Sequence, residues 1–281
     1  MGLGAAHRDP PAPGRPLDES RAAADDHATA ARLARAAGRL LLQVRDDADP
    51  PTGGRDRALG STGDLTANRL LLDLLAASHP ADAVLSEEAV DSAARLGAER
   101  VWIVDPLDGT REFSERRDDW AVHVALTVGG VLAAGAVALP ARDLVLATGG
   151  AAPGPETWRP LDGRAPRIVV SRSRAPAISD RIADVLGADV VHLGSAGAKA
   201  MAVVLGEADV YAHAGGMYEW DNAAPAAVAA AAGLWVSRID GGPLRYNQAD
   251  PWSPDVLVCR PELVDSVLAA VGAGRPGQQR R

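Results

Sequence analysis

Residues 101–113 read VWIVDPLDGTREF, a strand-like run that ends in two carboxylates, Asp105 and Asp108, three residues apart. Like charges that close repel each other, and neither is easily desolvated unless a cation sits between them. Three more acidic sites stand beside apolar segments: Glu87 and Glu88 in LSEEAVD, Asp221 in EWDNAAPAAV and Asp64 in STGDLTAN. Each has a plain alternative. Asp64 and Asp221 suit helix caps, and Glu87-Glu88 suits a solvated loop. DPLDGT suits a turn in which Pro106 fixes φ and Gly109 supplies an unusual backbone angle. Taken together, however, they form a set of oxygen donors suited to Mg²⁺, which takes a few carboxylates and keeps room for water and substrate phosphate. Two such cations would make Asp105 and Asp108 partners, and paired metals can stabilise both oxygens of an in-line displacement at phosphorus.

Other chemistry finds less support. No G-x-G-x-x-G follows a strand and no G-x-x-x-x-G-K-[ST] occurs, so nucleotide binding by those loops is not expected. None of the six histidines stands in an H-x-x-x-H spacing, and His123 and His213 read as structural. An aspartyl-phosphatase of the haloacid-dehalogenase type needs D-x-D, whereas here the acids are three apart with Pro106 after the first. A noncatalytic, divalent-cation-stabilised binding module could use the same carboxylates. It would have no need of Thr110 or of the basic Arg111 that follows.

The elements that must position these acids follow from hydrophobic period. From Glu19 to about Arg45 apolar residues recur at helical spacing (Leu33, Ala37, Leu40, Leu41, Val44). The stretch DADPPTGGRDRALGST reads as a loop, and a second helix should open near Asp64 and run through Leu70–Leu75. AVLS (83–86) and RVWIV (100–104) read as short strands. WAVHVALTV, VLAAGAVAL and DLVLAT read as three more, the first two joined by a Gly-Gly hairpin turn. After a boundary at 149–165, strand and helix alternate: RIVVS, PAISDRIADVLG, DVVHL, AGAKAMAVVLG, ADVYAH, DNAAPAAVAAAAG and LWVSR. The expected division is a disordered arm 1–18, an α+β metal-binding half 19–148, a linker 149–165, an α/β half 166–271 and a disordered tail 272–281.

At 281 residues, 47% hydrophobic and 23% charged, the chain has the composition of an ordinary globular protein with ample core. Its net charge of −8 argues against nucleic acid or an anionic membrane as partner. The single cysteine, Cys259, lies in the apolar run VLVC and reads as a buried small hydrophobe in a reducing compartment. With no long apolar span and no signal-peptide h-region, a cytoplasmic location is expected.

The ordered motifs VDPLDGTREF, LSEE some 20 residues earlier and EWDNAAP far downstream resemble the inositol-monophosphatase-like superfamily of Mg²⁺-dependent phosphomonoesterases. DGTREF, VSRSRAP (170–176), GSAGAKAM (194–201) and PLRYN (243–247) resemble its 3′(2′),5′-bisphosphate nucleotidase, or CysQ-type, branch. The similarity covers roughly residues 20–265. It implies an α/β fold: an αβαβα sandwich of the inositol-monophosphatase/fructose-bisphosphatase type, with an antiparallel sheet in the N-terminal half and a mixed sheet with flanking helices in the C-terminal half. It implies two or three Mg²⁺ per site, with Mn²⁺ as a substitute and Li⁺ and Ca²⁺ as inhibitors. Glu87, Asp105 and the Leu107 carbonyl would hold one ion. Asp105, Asp108 and Asp221 would hold another, with Glu88 behind them. Gly109 and Thr110 would contact the phosphate, and the Thr110 hydroxyl, oriented by Asp64, would help deprotonate a water. Arg111, Ser171, Arg172, Ser173, Ser195 and Lys199 are candidate phosphate or base contacts, and Arg245 and Tyr246 would line the nucleoside pocket, Tyr246 by stacking. The substrate that the branch implies is 3′-phosphoadenosine 5′-phosphate (PAP). Its sulfated analogue PAPS, inositol 1-phosphate and fructose 1,6-bisphosphate are the alternatives, and a homodimer is the implied assembly.

Overall fold

A computed structural model describes residues 16–23, 25–49, 55–150, 153–173 and 175–272. The expected disordered segments lie outside these residues except at their inner ends. There, Leu17 bridges Leu132, and Asp18 N donates to Leu132 O at 2.8 Å.

Two long helices open the fold. α1 (Asp26–Asp47) buries Leu33, Ala37 and Leu41 along one stripe, as the helical period requires. The residues before it form a separate 3₁₀ turn, Glu19–Arg21. α2 (Arg57–Ser78) starts a full two turns before the expected position, with Asp56 as its cap: Asp56 Oδ1 accepts from Leu59 N at 3.0 Å. Ser61, Thr62 and Gly63 are weak helix formers and so read as loop, but tertiary contact overrides propensity here. A Cβ on Gly60 would stand 2.5 Å from Ser114 Oγ, and one on Gly63 would stand 3.0 Å from the Leu107 and Phe113 side chains. The glycines let α2 press against the DPLDGT segment, and Asp64 consequently lies within the helix, not at its cap.

The first sheet runs in the order β1 (Ala83–Ser86), β2 (Arg100–Asp108), β3 (Ala121–Val128), β4 (Val131–Leu139), β5 (Leu144–Ala147). Only β1 and β2 are parallel, and the short helix α3 (Thr110–Ser114) follows β2. Gly129 and Gly130, with φ of 58° and 74°, make the β3–β4 turn. The second sheet is mixed. It comprises β6 (Arg167–Ser171), β7 (Asp189–Leu193), β8 (Val210–Tyr218), β9 (Trp235–Ser237) and β10 (Trp252–Cys259), in the order β7-β6-β8-β10-β9.

Between the sheets lie α5 (Ala196–Val204) and α6 (Glu219–Ala231). α6 touches strands of both sheets, so it is apolar nearly all round, and its alanines let the sheets come close. Ala227 packs where a Cβ on Gly135 of β4 would come within 2.7 Å. α1 and α2 cover the outer face of the first sheet, and α4 (Ala177–Leu186) and α7 (Val264–Ala270) that of the second. The result is five layers, α-β-α-β-α. In the stretch between the sheets, Trp158 is buried and its indole N–H donates to Val204 O at 3.0 Å. Cys259 is buried as a small core residue.

Candidate active site

Alternation along a strand would send Asp105 and Asp108 to opposite faces, because their spacing is odd. A bulge reverses this. Asp105 lies opposite His123 and Asp108 opposite Ala121, so that two intervening residues of β2 face one of β3. Both carboxylates therefore reach one face, where Asp221, in the first turn of α6, joins them. One carboxylate oxygen from each of Asp105, Asp108 and Asp221 lies within 4.8 Å of the others.

This cluster is under like-charge strain. Burial, then the charges of Glu87, Asp108 and Asp221, raise the Asp105 carboxyl well above the ordinary range. Burial also pushes Asp221 to about 6, against the pull of a hydrogen bond from Tyr218 N (2.6 Å). Glu87 is exposed as a residue, but desolvation of its carboxyl and the charge of Asp221 push it to about 7, against the pull of a hydrogen bond with Asp105. Asp108 is the exception. Burial opposes its ionisation, but the adjacent His123 and the Gly197 N–H outweigh it and hold the carboxyl low. An all-oxygen donor set with this much unrelieved repulsion fits a hard divalent cation.

The supports are specific. The N-terminus of α5 caps Asp108: Ala196 N and Gly197 N donate to its two oxygens at 3.1 and 2.5 Å. His123 Nε2 lies 3.2 Å from Asp108 Oδ2, and its Nδ1 faces Trp220 O at 3.0 Å. His123 thereby ties β3 and the start of α6 to the same carboxylate. Glu219 is buried and accepts from Asn247 N and Gln248 N, at 2.6 and 2.8 Å. Arg95, also buried, binds Asp91, Asn247 Oδ1 and Gln248 O. Two loops around the site are thus stapled to α6.

Beside the acids, Thr110 Oγ1 lies 3.1 Å from Asp64 Oδ1 and 3.3 Å from Leu107 O. Burial, then the charge of Glu88, pushes Asp64 to about 7, although the Thr110 hydrogen bond acts in the other direction. Gly109 turns the chain at φ 91°, and a Cβ there would stand 2.9 Å from that of Ser195.

The remaining expected residues are placed less uniformly. Ser195 caps α5, its Oγ accepting from Ala198 N at 2.9 Å. Lys199 points inward: its ammonium donates to the carbonyls of Gly194 and Ser195, and burial lowers it to about 8. Arg172 is gripped by Glu112 and Glu115 at 2.9 and 2.6 Å, and Arg111 by Glu115 at 2.8 Å. Ser171 ends β6, and Ser173 is exposed just beyond it. Arg245 is exposed in a cleft shared with Trp252. Tyr246 does not offer a ring face to a base. It is buried in the core: its hydroxyl donates a hydrogen bond to Asn222 Oδ1 at 2.9 Å, and the apolar interior surrounds its ring.

The family described as "Inositol monophosphatase family" matches residues 24–271, nearly the whole chain. The chain belongs to that family. It is 53% identical over 250 residues to the 3′-phosphoadenosine 5′-phosphate phosphatase of Mycobacterium tuberculosis (strain CDC 1551 / Oshkosh), over 84% of this chain and 89% of that one. Its identity to the protein of the same name from Mycobacterium leprae (strain TN) is 51% over 268 residues, 88% of this chain and 93% of that one. Among solved structures, CysQ from Bacteroides thetaiotaomicron, a bacterial member of the inositol monophosphatase family, superposes with a TM-score of 0.66 at 29% identity, over 83% of this chain and 96% of that one. The CysQ-type branch and the five-layer sandwich are therefore both as the motifs imply. Within this family fold, His123 and Tyr218 are the site neighbours that motif reading passes over. His123 is disguised by its place in an alternating strand, and Tyr218 precedes the acidic motif without belonging to it.

Proposed function

We propose that the protein is a Mg²⁺-dependent phosphomonoesterase that hydrolyses the 3′-phosphate of PAP, giving AMP and inorganic phosphate. The observation that carries this reading is the convergence of Asp105, Asp108 and Asp221 within 4.8 Å, beside the 3.1 Å hydrogen bond from Thr110 to Asp64. The mycobacterial relatives named as PAP phosphatases direct the choice of ester.

Glu87, Asp105, the Leu107 carbonyl, Asp108 and Asp221 would hold two or three Mg²⁺, with Mn²⁺ as a substitute and Li⁺ and Ca²⁺ as inhibitors. Magnesium bound there supplies Lewis-acid stabilisation of phosphoryl oxygens and makes water acidic enough to ionise near neutral pH. The chain's own part is proton handling and orientation. Thr110 Oγ1 takes a proton from the attacking water as it gives its own to the ionised Asp64 Oδ1, a carboxyl poised near 7 to accept it. The backbone of Gly109 and Thr110 orients the phosphate, and water attacks in line with the departing 3′ oxygen. No phosphoenzyme forms. The Asp64–Thr110 pair also argues against a noncatalytic cation-binding module, which has no proton to move.

Phosphate release from PAP, PAPS, inositol 1-phosphate and fructose 1,6-bisphosphate, with Mg²⁺ and with or without millimolar Li⁺, tests the reading. PAP should give the highest kcat/KM, with activity lost in EDTA and restored by Mg²⁺. Faster turnover of inositol 1-phosphate than of PAP would reassign the substrate, and no Mg²⁺-dependent turnover of any ester would end the proposal.

A further inference from the structure

Ten aromatic residues are spread through this chain, and among the described residues two large aromatics are exposed: Tyr218 and Trp252, at 45% and 51%. They are direct cross-strand partners, on β8 and β10. Trp252 lies over Gly216, where a Cβ would meet the indole Nε1 at 2.7 Å, so the glycine leaves room for the ring to lie along the strand. Tyr218 also stacks on Trp220, with centroids 4.7 Å apart and planes 11° from parallel. Trp220 covers one face of the tyrosine, and the ring as a whole remains open to solvent.

This stack is tied to the acidic cluster. Tyr218 N donates to Asp221 Oδ2 at 2.6 Å, and the buried Glu219 between the two rings is fixed to Asn247 and Gln248. The tyrosine is therefore held in register with a carboxylate of the cluster by backbone, and a rigid aromatic face beside a phosphate-cleaving centre suits a flat π-system attached to that phosphate.

Resting on the PAP reading above, we propose that Tyr218, backed by Trp220 and flanked by Trp252, is the platform on which the base of a nucleotide substrate stacks. It makes the site favour nucleotides over esters without a base, such as inositol 1-phosphate. The sequence reading assigns that stacking to Tyr246; the structure gives it to a tyrosine 28 residues earlier, because Tyr246 is buried.

The test compares wild type, Tyr218→Ala, Tyr218→Phe and Trp252→Ala by the ratio of kcat/KM for PAP to that for inositol 1-phosphate. Loss of one base stack should lower this ratio roughly 5- to 150-fold in Tyr218→Ala, less in Trp252→Ala, and within about twofold in Tyr218→Phe, which keeps the ring. An unchanged ratio in Tyr218→Ala overturns the platform, whether or not both activities fall. A wild type that does not hydrolyse PAP defeats the functional proposal instead. The platform is then judged by tryptophan fluorescence of the metal-free protein. Saturable quenching by AMP but not by ribose 5-phosphate, lost in Tyr218→Ala, supports it, and equal responses to the two ligands overturn it.

Discussion

Thr110 Oγ1 donates to Asp64 Oδ1 across 3.1 Å, joining a short turn after β2 to the second turn of α2. The two residues are 46 positions apart, and the contact exists because Gly60 and Gly63 let the helix approach. Thr110→Ala and Asp64→Asn should each lower kcat about 10²–10³-fold, in the range of a lost proton-transfer partner, and change KM for PAP far less. Thr110→Ser, which keeps the hydroxyl, should retain most of the activity. Steady-state kinetics on the three variants check this.

Asp105 and Asp221 should trade activity against stability. Asp105→Asn and Asp221→Asn should abolish turnover, yet in EDTA both should melt higher than wild type, because each removes a carboxyl whose ionisation burial and the neighbouring acids oppose. For a chain of this size the gain is about 2–4 °C in Tm for each kcal/mol of strain relieved. Thermal unfolding with EDTA and with Mg²⁺ measures it, and the advantage should reverse when the metal is added.

The same strain sets a pH dependence. Asp64 and Glu87 stand at about 7 and Asp221 at about 6, all above their unfolded values. A carboxyl raised in the fold binds its proton more tightly folded than unfolded. The metal-free protein should therefore lose stability as pH rises from about 4 to about 7, and stay at the lower level above that. Asp26 and Asp209, held low by their arginine partners Arg100, Arg164 and Arg260 despite burial, act oppositely and lose their contribution as pH falls below about 4. Melting in EDTA across pH 4–8 should show a maximum near the acid end, and Mg²⁺ should stabilise more at pH 8 than at pH 6.

Much of this is legible in the chain. The succession of helices and strands follows from helical and alternating periods, the five-layer order is implied by the family resemblance, and the acids are legible because carboxylates beside apolar strands and helix starts need an explanation. What is not legible depends on pairing partners. The bulge that turns Asp108 to the side of Asp105 is a property of β2 against β3, and no local pattern in DPLD announces it. The early start of α2 is hidden because glycines chosen for close approach look like loop. Tyr246 stands in a motif of the branch and Tyr218 does not, and only the fold shows that Tyr246 is buried and Tyr218 exposed.

Gly197 illustrates the same point. An alanine in the first turn of α5 should help a free helix by about 1 kcal/mol. Here its Cβ would stand 2.2 Å from His123 Nε2 and 3.1 Å from Asp108 Oδ2. Overpacking costs about 1–3 kcal/mol, so Gly197→Ala should be destabilised overall and should need more Mg²⁺ for half-maximal activity. Urea unfolding in EDTA and Mg²⁺ titration of the activity check the two effects.

Anomalous diffraction from crystals soaked in Mn²⁺ tests the central claim most directly. Strong peaks enclosed by Glu87, Asp105, Asp108 and Asp221, absent from Asp105→Asn crystals, are the predicted result. An active enzyme whose Mn²⁺ binds elsewhere and leaves those four carboxylates bare would contradict it.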